Sequence, residues 1–304
     1  MTPPRRAVAV ALMLLAPVLW SSAGVVTRHI RYAEPMEQVF WRSLFAFAFV
    51  LLVLVFGKRV NPVSAVLKSG WPGLASGALW AVMFTVFVIA LSLTTTANTL
   101  ITMSVSPLLT ALLARALLSD PVPARTWLAA AACGLGIAWM FADGFAAPDG
   151  SHAIGMLVAL IVPVASAANL IVLRATAARL DLLSAVMLGG LLSSLLALPL
   201  ALPFSASARD IALLALLGVF QLGVPCMLLV VASRSLLAPE IALLGLLEVV
   251  LGPLWAYLGA GEVPAGASLL GGAIVLAALA ANELVALQER RIMRGKLSVT
   301  RISG

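Results

Sequence analysis

A single carboxylate stands inside a long apolar stretch of this sequence. Glu248 is the one charged residue between Leu243 and Tyr257, a segment apolar enough to enter a bilayer. A charge at the membrane centre costs at least ~2.5 kcal/mol on insertion scales, so such a residue normally faces a partner or a wet cavity. We predict that Glu248 faces a central cavity, where it binds a substrate ammonium or takes a coupling proton. The alternative is a protonated carboxyl that bonds to a neighbouring backbone carbonyl.

Arg42 is the second candidate, and its chemistry suits an anionic group. It lies about one turn inside an apolar run that begins near residue 37. A guanidinium binds a carboxylate through two parallel hydrogen bonds, so Arg42 is suited to the carboxylate of a small substrate. Two alternatives stay open. Arg42 either extends toward the lipid headgroups or pairs locally with Glu34 or Glu37.

Two tryptophans lie in the middle of apolar runs, away from the run ends. An indole N–H in the middle of a membrane needs an acceptor or a wet cavity. We therefore predict that Trp20 and Trp80 line a pocket, with plain helix packing as the alternative. An interfacial aromatic belt accounts for the tryptophans near run ends, which are Trp41, Trp71, Trp127 and Trp139.

Uncharged polar side chains inside the runs complete the candidate set. Such groups either bond one helix to another or line a path through the bundle. Serines also bond to the backbone of their own helix, which is the structural alternative for them. The predicted substrate-facing residues of this kind are Ser21, Ser22, Asn98, Asn169 and Gln221. We predict a structural role for two further acids, Asp120 and Glu262, at the N-terminal end of the helix that follows each.

The composition excludes a soluble domain. The chain has 304 residues, of which 62% are hydrophobic and 10% are charged, whereas soluble domains have about 25% charged residues. The net charge of +7 resides in short loops between apolar runs, which argues against a nucleic-acid partner. Cys133 and Cys226 lie within apolar runs and are predicted to be buried free thiols. No metal, cofactor or enzymatic activity is expected, because both histidines, His29 and His152, fall at run ends and no catalytic motif is present.

Ten apolar runs have the length that crosses a bilayer. Their basic residues obey the positive-inside rule if both termini are cytoplasmic, because the outer side then keeps only four of the 19 Lys and Arg. Those four are Arg28, Arg31, Arg42 and Arg209. The sequence thus predicts a multi-pass protein of the cell inner membrane. The predicted spans are 7–28, 37–56, 70–91, 96–118, 124–142, 153–174, 183–203, 210–232, 237–259 and 265–287.

The two halves of the chain also resemble each other. An offset of 142 residues brings Asp120 onto Glu262, and an offset of 146 brings Arg28 onto Arg174. Five spans per copy is an odd number, so the second copy enters the membrane from the opposite side and the halves are inverted repeats. Such repeats usually indicate alternating access around a site near the midplane. The predicted units are 7–142, 153–287 and a cytoplasmic tail at 288–304.

Short motifs connect this repeat to a known family. They are Leu19–Gly24, Trp41–Ser43 and Val105–Leu112 in the first half, and Leu247–Leu254 and Gly261-Glu262 in the second. In their order and repetition the chain resembles the drug/metabolite transporter superfamily, in its ten-span form with two EamA-type repeats. It departs from the family pattern at Val249, where Pro is frequent, and at Asp120, where Glu is frequent. The resemblance implies a cavity lined by spans one, three, four, six, eight and nine, with spans five and ten behind them.

The resemblance also implies a function, because many family members export amino acids, and this chain is similar to aromatic amino-acid exporters. The sequence therefore predicts an all-α secondary transporter that exports a small metabolite, with amino acids favoured, by alternating access. A multidrug, lipophilic-cation or nucleoside exporter and a non-transporting structural membrane protein are the alternatives. The expected partners are the small-molecule substrate and the lipid bilayer. Proton coupling, and the choice between monomer and homodimer, stay open.

Overall fold

The structure, a computed structural model, describes residues 4–119, 121–146, 151–175, 182–233 and 235–302. These ranges contain helices, turns and irregular segments and no strand, which confirms the predicted all-α class. The described residues also form two π-helical turns, Val53–Gly57 and Leu217–Gly223. The helices are α1 (Arg6–Trp20), α2 (Ser22–Thr27), α3 (Pro35–Leu52), α4 (Pro62–Leu93), α5 (Thr96–Met103), α6 (Ser106–Leu118), α7 (Ala124–Ala146), α8 (Ser151–Ala175), α9 (Leu182–Ala201), α10 (Ala208–Leu216), α11 (Val224–Ala232), α12 (Ala238–Ala260) and α13 (Gly266–Ile302).

These helices give ten membrane-length apolar segments in the described ranges, which matches the predicted number. Spans 1, 4 and 8 each combine two helices, α1 with α2, α5 with α6, and α10 with α11. The other spans are α3, α4, α7, α8, α9, α12 and α13 in chain order. The largest boundary difference is in span 3, which begins at Pro62 where the sequence predicted 70. Gly70 has φ 57° and ψ −156°, so a kink before Pro72 separates an added first segment from the apolar run.

Several spans are interrupted in their middle. Span 1 turns at Ser21, and span 4 turns at Ser104 and Val105, just before Pro107. Span 8 widens into the π-helical turn Leu217–Gly223. Span 9 continues through Val249 without a break, in keeping with the absence of proline at that position. Discontinuous helices are typical of transporter binding sites, because they free backbone groups near the midplane.

Spans of the first half of the chain pack extensively against spans of the second half. Span 3 packs on spans 6 and 7, and span 8 packs on spans 1 and 2. Span 4 packs on span 6, and span 9 packs on span 1. Spans 2 and 7 contact each other, and so do spans 5 and 10. Adding five to each span number reproduces these pairs, which is consistent with two equivalent halves. The inverted repeat and its boundaries stay predictions.

Candidate functional site

A cavity of about 330 Å³ lies among seven of the spans. It is within the ~300–1,000 Å³ range of small-molecule sites. Each span predicted to line a cavity supplies at least one wall residue, and span 2 adds Arg42. The breaks of spans 1 and 4 and the π-helical turn of span 8 adjoin it. The wall consists of Trp20, Arg42, Trp80, Met83, Phe84, Phe87, Met103, Ser106, Val162, Pro163, Ser166, Gln221, Leu222, Cys226 and Glu248.

Arg42 provides the positive charge of this cavity. Its side chain is 3% exposed, and its Nε and Nη2 donate to Gln221 Oε1 over 3.2 and 3.0 Å. Nη1 donates to the carbonyl oxygen of Phe84 over 3.3 Å. The Phe87 ring centre lies 5.1 Å from Arg42 Cζ, a distance at which the ring face attracts a cation. In the described parts of the chain, Arg42 forms no ion pair with a carboxylate.

The local pairing that the sequence left open for Arg42 is not found. Glu37 accepts hydrogen bonds from the backbone N–H groups of Ser205 and Ala206 and from the indole of Trp41. It is 1% exposed, and these bonds attach it to the loop before span 8. Glu34 is exposed at the start of α3. Arg42 therefore points into the bundle because the nearby acids are engaged elsewhere or lie in the exposed loop.

Glu248 provides a carboxyl group in the wall of the same cavity. It is half-buried on α12, about two turns from Glu240 near the start of that helix. Within the described ranges its carboxyl group forms neither a hydrogen bond nor an ion pair, although it lines the cavity. The structure thus places Glu248 on a cavity wall, where the sequence predicted it. Its part in binding or coupling stays a prediction.

The two mid-span tryptophans are on the wall as well. Trp20 ends α1 at the break of span 1, and Trp80 stands on span 3 with its ring centre 5.5 Å from that of Phe84. Trp80 Nε1 is buried and has no hydrogen-bond partner among the described residues. Buried polar groups are nearly always satisfied, so a buried N–H without a partner in the described chain is unusual.

Four residues of the predicted set are absent from the wall. Ser21 and Ser22 donate to the carbonyls of Val18 and Leu19 in their own span. Asn98 accepts from Ser268 over 2.6 Å, which joins spans 4 and 10. Asn169 is 7% exposed, and its Oδ1 has no partner in the described chain. The polar serines on the wall are Ser106 and Ser166.

Glu262 accepts a hydrogen bond at the start of a different helix from the predicted one. The sequence assigned it to the start of the helix that follows, which is α13. Its carboxylate instead accepts from the backbone N–H of Thr96, over 2.5 Å, at the start of α5. It also pairs with Arg28 over 2.7 Å. The chain folds back so that the loop after span 9 lies over the start of span 4, which no local pattern indicates. Asp120 lies outside the described residues.

Sequence reasoning also missed two buried carboxylates that organise the outer loops. Asp210 accepts from the backbone N–H groups of Arg31 and Tyr32 and from Ser207. Glu37, described above, holds the adjoining loop. Ser207 and Asp210 form a capping box, and that spacing is a signal the sequence does contain. Glu37 has no comparable local signal, because its partners lie 168 and 169 positions away.

Spans 4 and 9 pack against each other at the end predicted to be outside. Every residue from Thr96 to Thr102 in α5 is buried. The contacts of α12 with span 4 are concentrated on α5, and a Cβ placed at Gly252 would lie 2.1 Å from Leu100. The inner half of span 4, α6, packs on span 6 instead. Spans 4 and 9 are therefore in close contact through α5 and not through α6.

The sequence model of the EamA-like transporter family matches residues 7–142. These residues are similar to that family. The match covers the first five spans and agrees with the resemblance seen in the motifs. The match does not extend to an amino-acid exporter subtype.

Solved structures and curated sequences give two further results. A crystal structure of another protein is similar over 93% of this chain and 99% of its own chain, with a TM-score of 0.65 and 19% sequence identity. At that identity the likeness shows the fold alone. No curated protein sequence matches the chain.

Proposed function

We propose that this protein is a secondary transporter that exports small metabolites, with amino acids as the favoured substrates, across the inner membrane by alternating access. One observation carries the proposal. A carboxyl group without a partner, Glu248, and a guanidinium without a carboxylate, Arg42, line the same cavity in the described chain. A zwitterion brings one charge for each of them. The family match of residues 7–142 supports transport of a small solute.

The arrangement of the spans supports the alternating-access part of the proposal. The wall includes residues from both halves, such as Trp20 and Met103 from the first and Ser166 and Glu248 from the second. A site shared by two halves changes its accessibility when one half rocks against the other. The breaks at Ser21 and Ser104 and the π-helical turn of span 8 lie beside this site.

A lipophilic cation is the second candidate substrate. The aromatic wall of Trp20, Trp80 and Phe84 and the carboxyl of Glu248 form a setting that also attracts an organic cation. Arg42 opposes it, because a buried positive charge in the same cavity repels a cation that has no negative group. A zwitterionic amino acid offers a partner to both Arg42 and Glu248, whereas a cation offers a partner to Glu248 alone.

Counterflow in proteoliposomes tests the proposal. Vesicles are loaded with a mixture of unlabelled amino acids, and entry of single labelled amino acids is measured without an ion gradient. We expect uptake of some amino acids and not of others, and no uptake into protein-free vesicles. Glu248→Gln should reduce exchange at least tenfold, whereas Glu289→Gln, at an exposed position of α13, should not change it. Folded protein that exchanges no amino acid, but does exchange lipophilic cations, would support the second candidate.

A further inference from the structure

We propose that Gln221 holds the Arg42 guanidinium in the cavity without neutralising it, and so builds the binding site for the carboxylate of the substrate. The inference rests on the proposed function for the identity of the ligand. It goes further in giving Gln221 a positioning role and in assigning the negative group of the substrate to one place on the wall.

The hydrogen bonds of the guanidinium all go to neutral acceptors. Gln221 Oε1 accepts from both Nε and Nη2 of Arg42, and the Phe84 carbonyl accepts from Nη1. The amide group of Gln221 is itself fixed, because Nε2 donates to the Trp20 carbonyl over 3.5 Å. An arginine has five N–H donors, so these three bonds leave two for a ligand. The side chain is thus oriented and still carries its full charge.

Other arginines of the described chain show what this site lacks. Arg6, Arg28 and Arg125 each pair with a glutamate, namely Glu240, Glu262 and Glu289. These pairs have at least one partly exposed partner, whereas Arg42 is 3% exposed. A buried cation without an anion costs several kcal/mol, and the Phe87 ring at 5.1 Å offsets only part of that. An anion that enters the cavity therefore stabilises the Arg42 guanidinium in the way that a resident glutamate would.

The backbone of span 8 is shaped to bring Gln221 to this position. Gln221 stands in the π-helical turn Leu217–Gly223, and such turns are frequent at functional sites. A Cβ placed at Gly218 would lie 2.5 Å from the carbonyl oxygen of Arg42 and 2.9 Å from the N of Ala46. Spans 2 and 8 are thus in direct backbone contact beside the guanidinium, which fixes the distance between Gln221 and Arg42.

Two substitutions separate orientation from charge. Gln221→Glu has nearly the same shape and places a resident carboxylate on Arg42, so that the substrate must displace it. Gln221→Met removes the acceptor and adds no charge. For a transported amino acid we expect Gln221→Glu to raise KM at least tenfold. Gln221→Met should raise it by a smaller factor, since the cation remains but is less well oriented.

A second measurement needs no substrate. In a chain with Cys133→Ala and Cys226→Ala, Ser166→Cys places a single thiol on the cavity wall. Its reaction rates with anionic and cationic methanethiosulfonates of similar size give a ratio that reports the local charge. Adding Gln221→Glu should lower the anionic-to-cationic ratio about tenfold or more, as one unit charge does at close range in an effective dielectric of ~20. Arg42→Gln should do the same, and Gln221→Met should keep the ratio within about twofold.

The outcomes distinguish this inference from the proposed function. A ratio that Gln221→Glu leaves unchanged would overturn the anion site, whatever the protein transports. A KM that Gln221→Met leaves unchanged would overturn the orienting role. If the ratios behave as expected but no amino acid is exchanged, the anion site stands and the amino-acid assignment fails. Thermal unfolding of each variant in detergent confirms that the ratios are read from folded protein.

Discussion

Arg28 Nε donates to Glu262 over 2.7 Å and so joins the end of span 1 to the loop between spans 9 and 10. The same carboxylate accepts from the backbone N–H of Thr96 at the start of span 4, and Arg28 Nη2 donates to the carbonyl of Thr94. Three spans are therefore tied at the outer end by one ion pair. This is the end at which α5 and α12 pack together.

Glu262→Gln should loosen the packing of α5 against α12 at the outer end. The change removes the charge that holds Arg28 and Thr96, and a partly exposed ion pair of this kind contributes on the order of 1 kcal/mol. We expect about a fivefold faster reaction of a thiol placed at Leu100, which faces Gly252, with an impermeant reagent applied from the outer side in a background without Cys133 and Cys226.

The chain offers a matched control for that experiment. Arg6 and Glu240 also pair across spans 1 and 9, at the opposite end, and with the same separation of 234 positions. Glu240→Gln should leave the labelling rate at Leu100 unchanged. Equal acceleration by both glutamine variants would show that the Arg28–Glu262 pair has no special role in the packing at the outer end.

Gly218→Ala should destabilise the protein. A Cβ there meets backbone atoms of Arg42 and Ala46 rather than a flexible side chain, so spans 2 and 8 must separate. Overpacking of this kind costs about 1–3 kcal/mol, and we expect a lower unfolding temperature in detergent. Gly245→Ala is the control, because a Cβ there has no atom within 4 Å, and alanine favours a helix by up to ~1 kcal/mol over glycine. An unfolding temperature that Gly218→Ala does not lower would contradict the backbone contact.

Glu37→Gln should also lower the unfolding temperature. The Glu37 carboxylate accepts from Ser205 N–H at 2.9 Å and from Ala206 N–H at 3.0 Å. A glutamine turns one acceptor into a donor that faces an N–H group, and leaving such a buried group unsatisfied costs about 1–3 kcal/mol. The exposed Glu34→Gln should have no measurable effect. If both variants have the unfolding temperature of the wild-type protein, Glu37 does not hold the outer loop.

Trp80→Phe tests whether the unpartnered indole N–H serves the substrate. The variant removes a buried donor that has no partner in the described chain, so the unfolding temperature should stay the same or rise. The KM for a transported substrate should rise several-fold if the N–H donates to it. Trp255→Phe is the contrast, because Trp255 Nε1 donates to Ser21 Oγ over 3.2 Å and its loss should destabilise the protein without a matching change in KM. A KM that Trp80→Phe leaves unchanged would assign Trp80 to packing.

The sequence alone determined the membrane character of this protein and its number of spans, because a bilayer imposes length and apolarity on each helix separately. It also singled out Glu248, since a lone carboxylate in an apolar run is costly wherever the helix packs. Arg42, Trp20, Trp80 and Gln221 were found by the same argument from polarity in a run, and the structure brings them to one cavity.

Only the tertiary structure decided which polar groups are already satisfied. Asn98 and Gln221 look alike in sequence, yet Asn98 bonds to Ser268 on span 10 while Gln221 holds Arg42 beside the cavity. Glu262 was assigned to its neighbouring helix and instead serves α5, 166 positions away. Partners of this kind depend on how helices distant in sequence pack, and the packing is set by close contacts such as that of Gly218 with Arg42. Local polarity indicates that a group needs a partner, and the fold decides whether the chain or a ligand provides it.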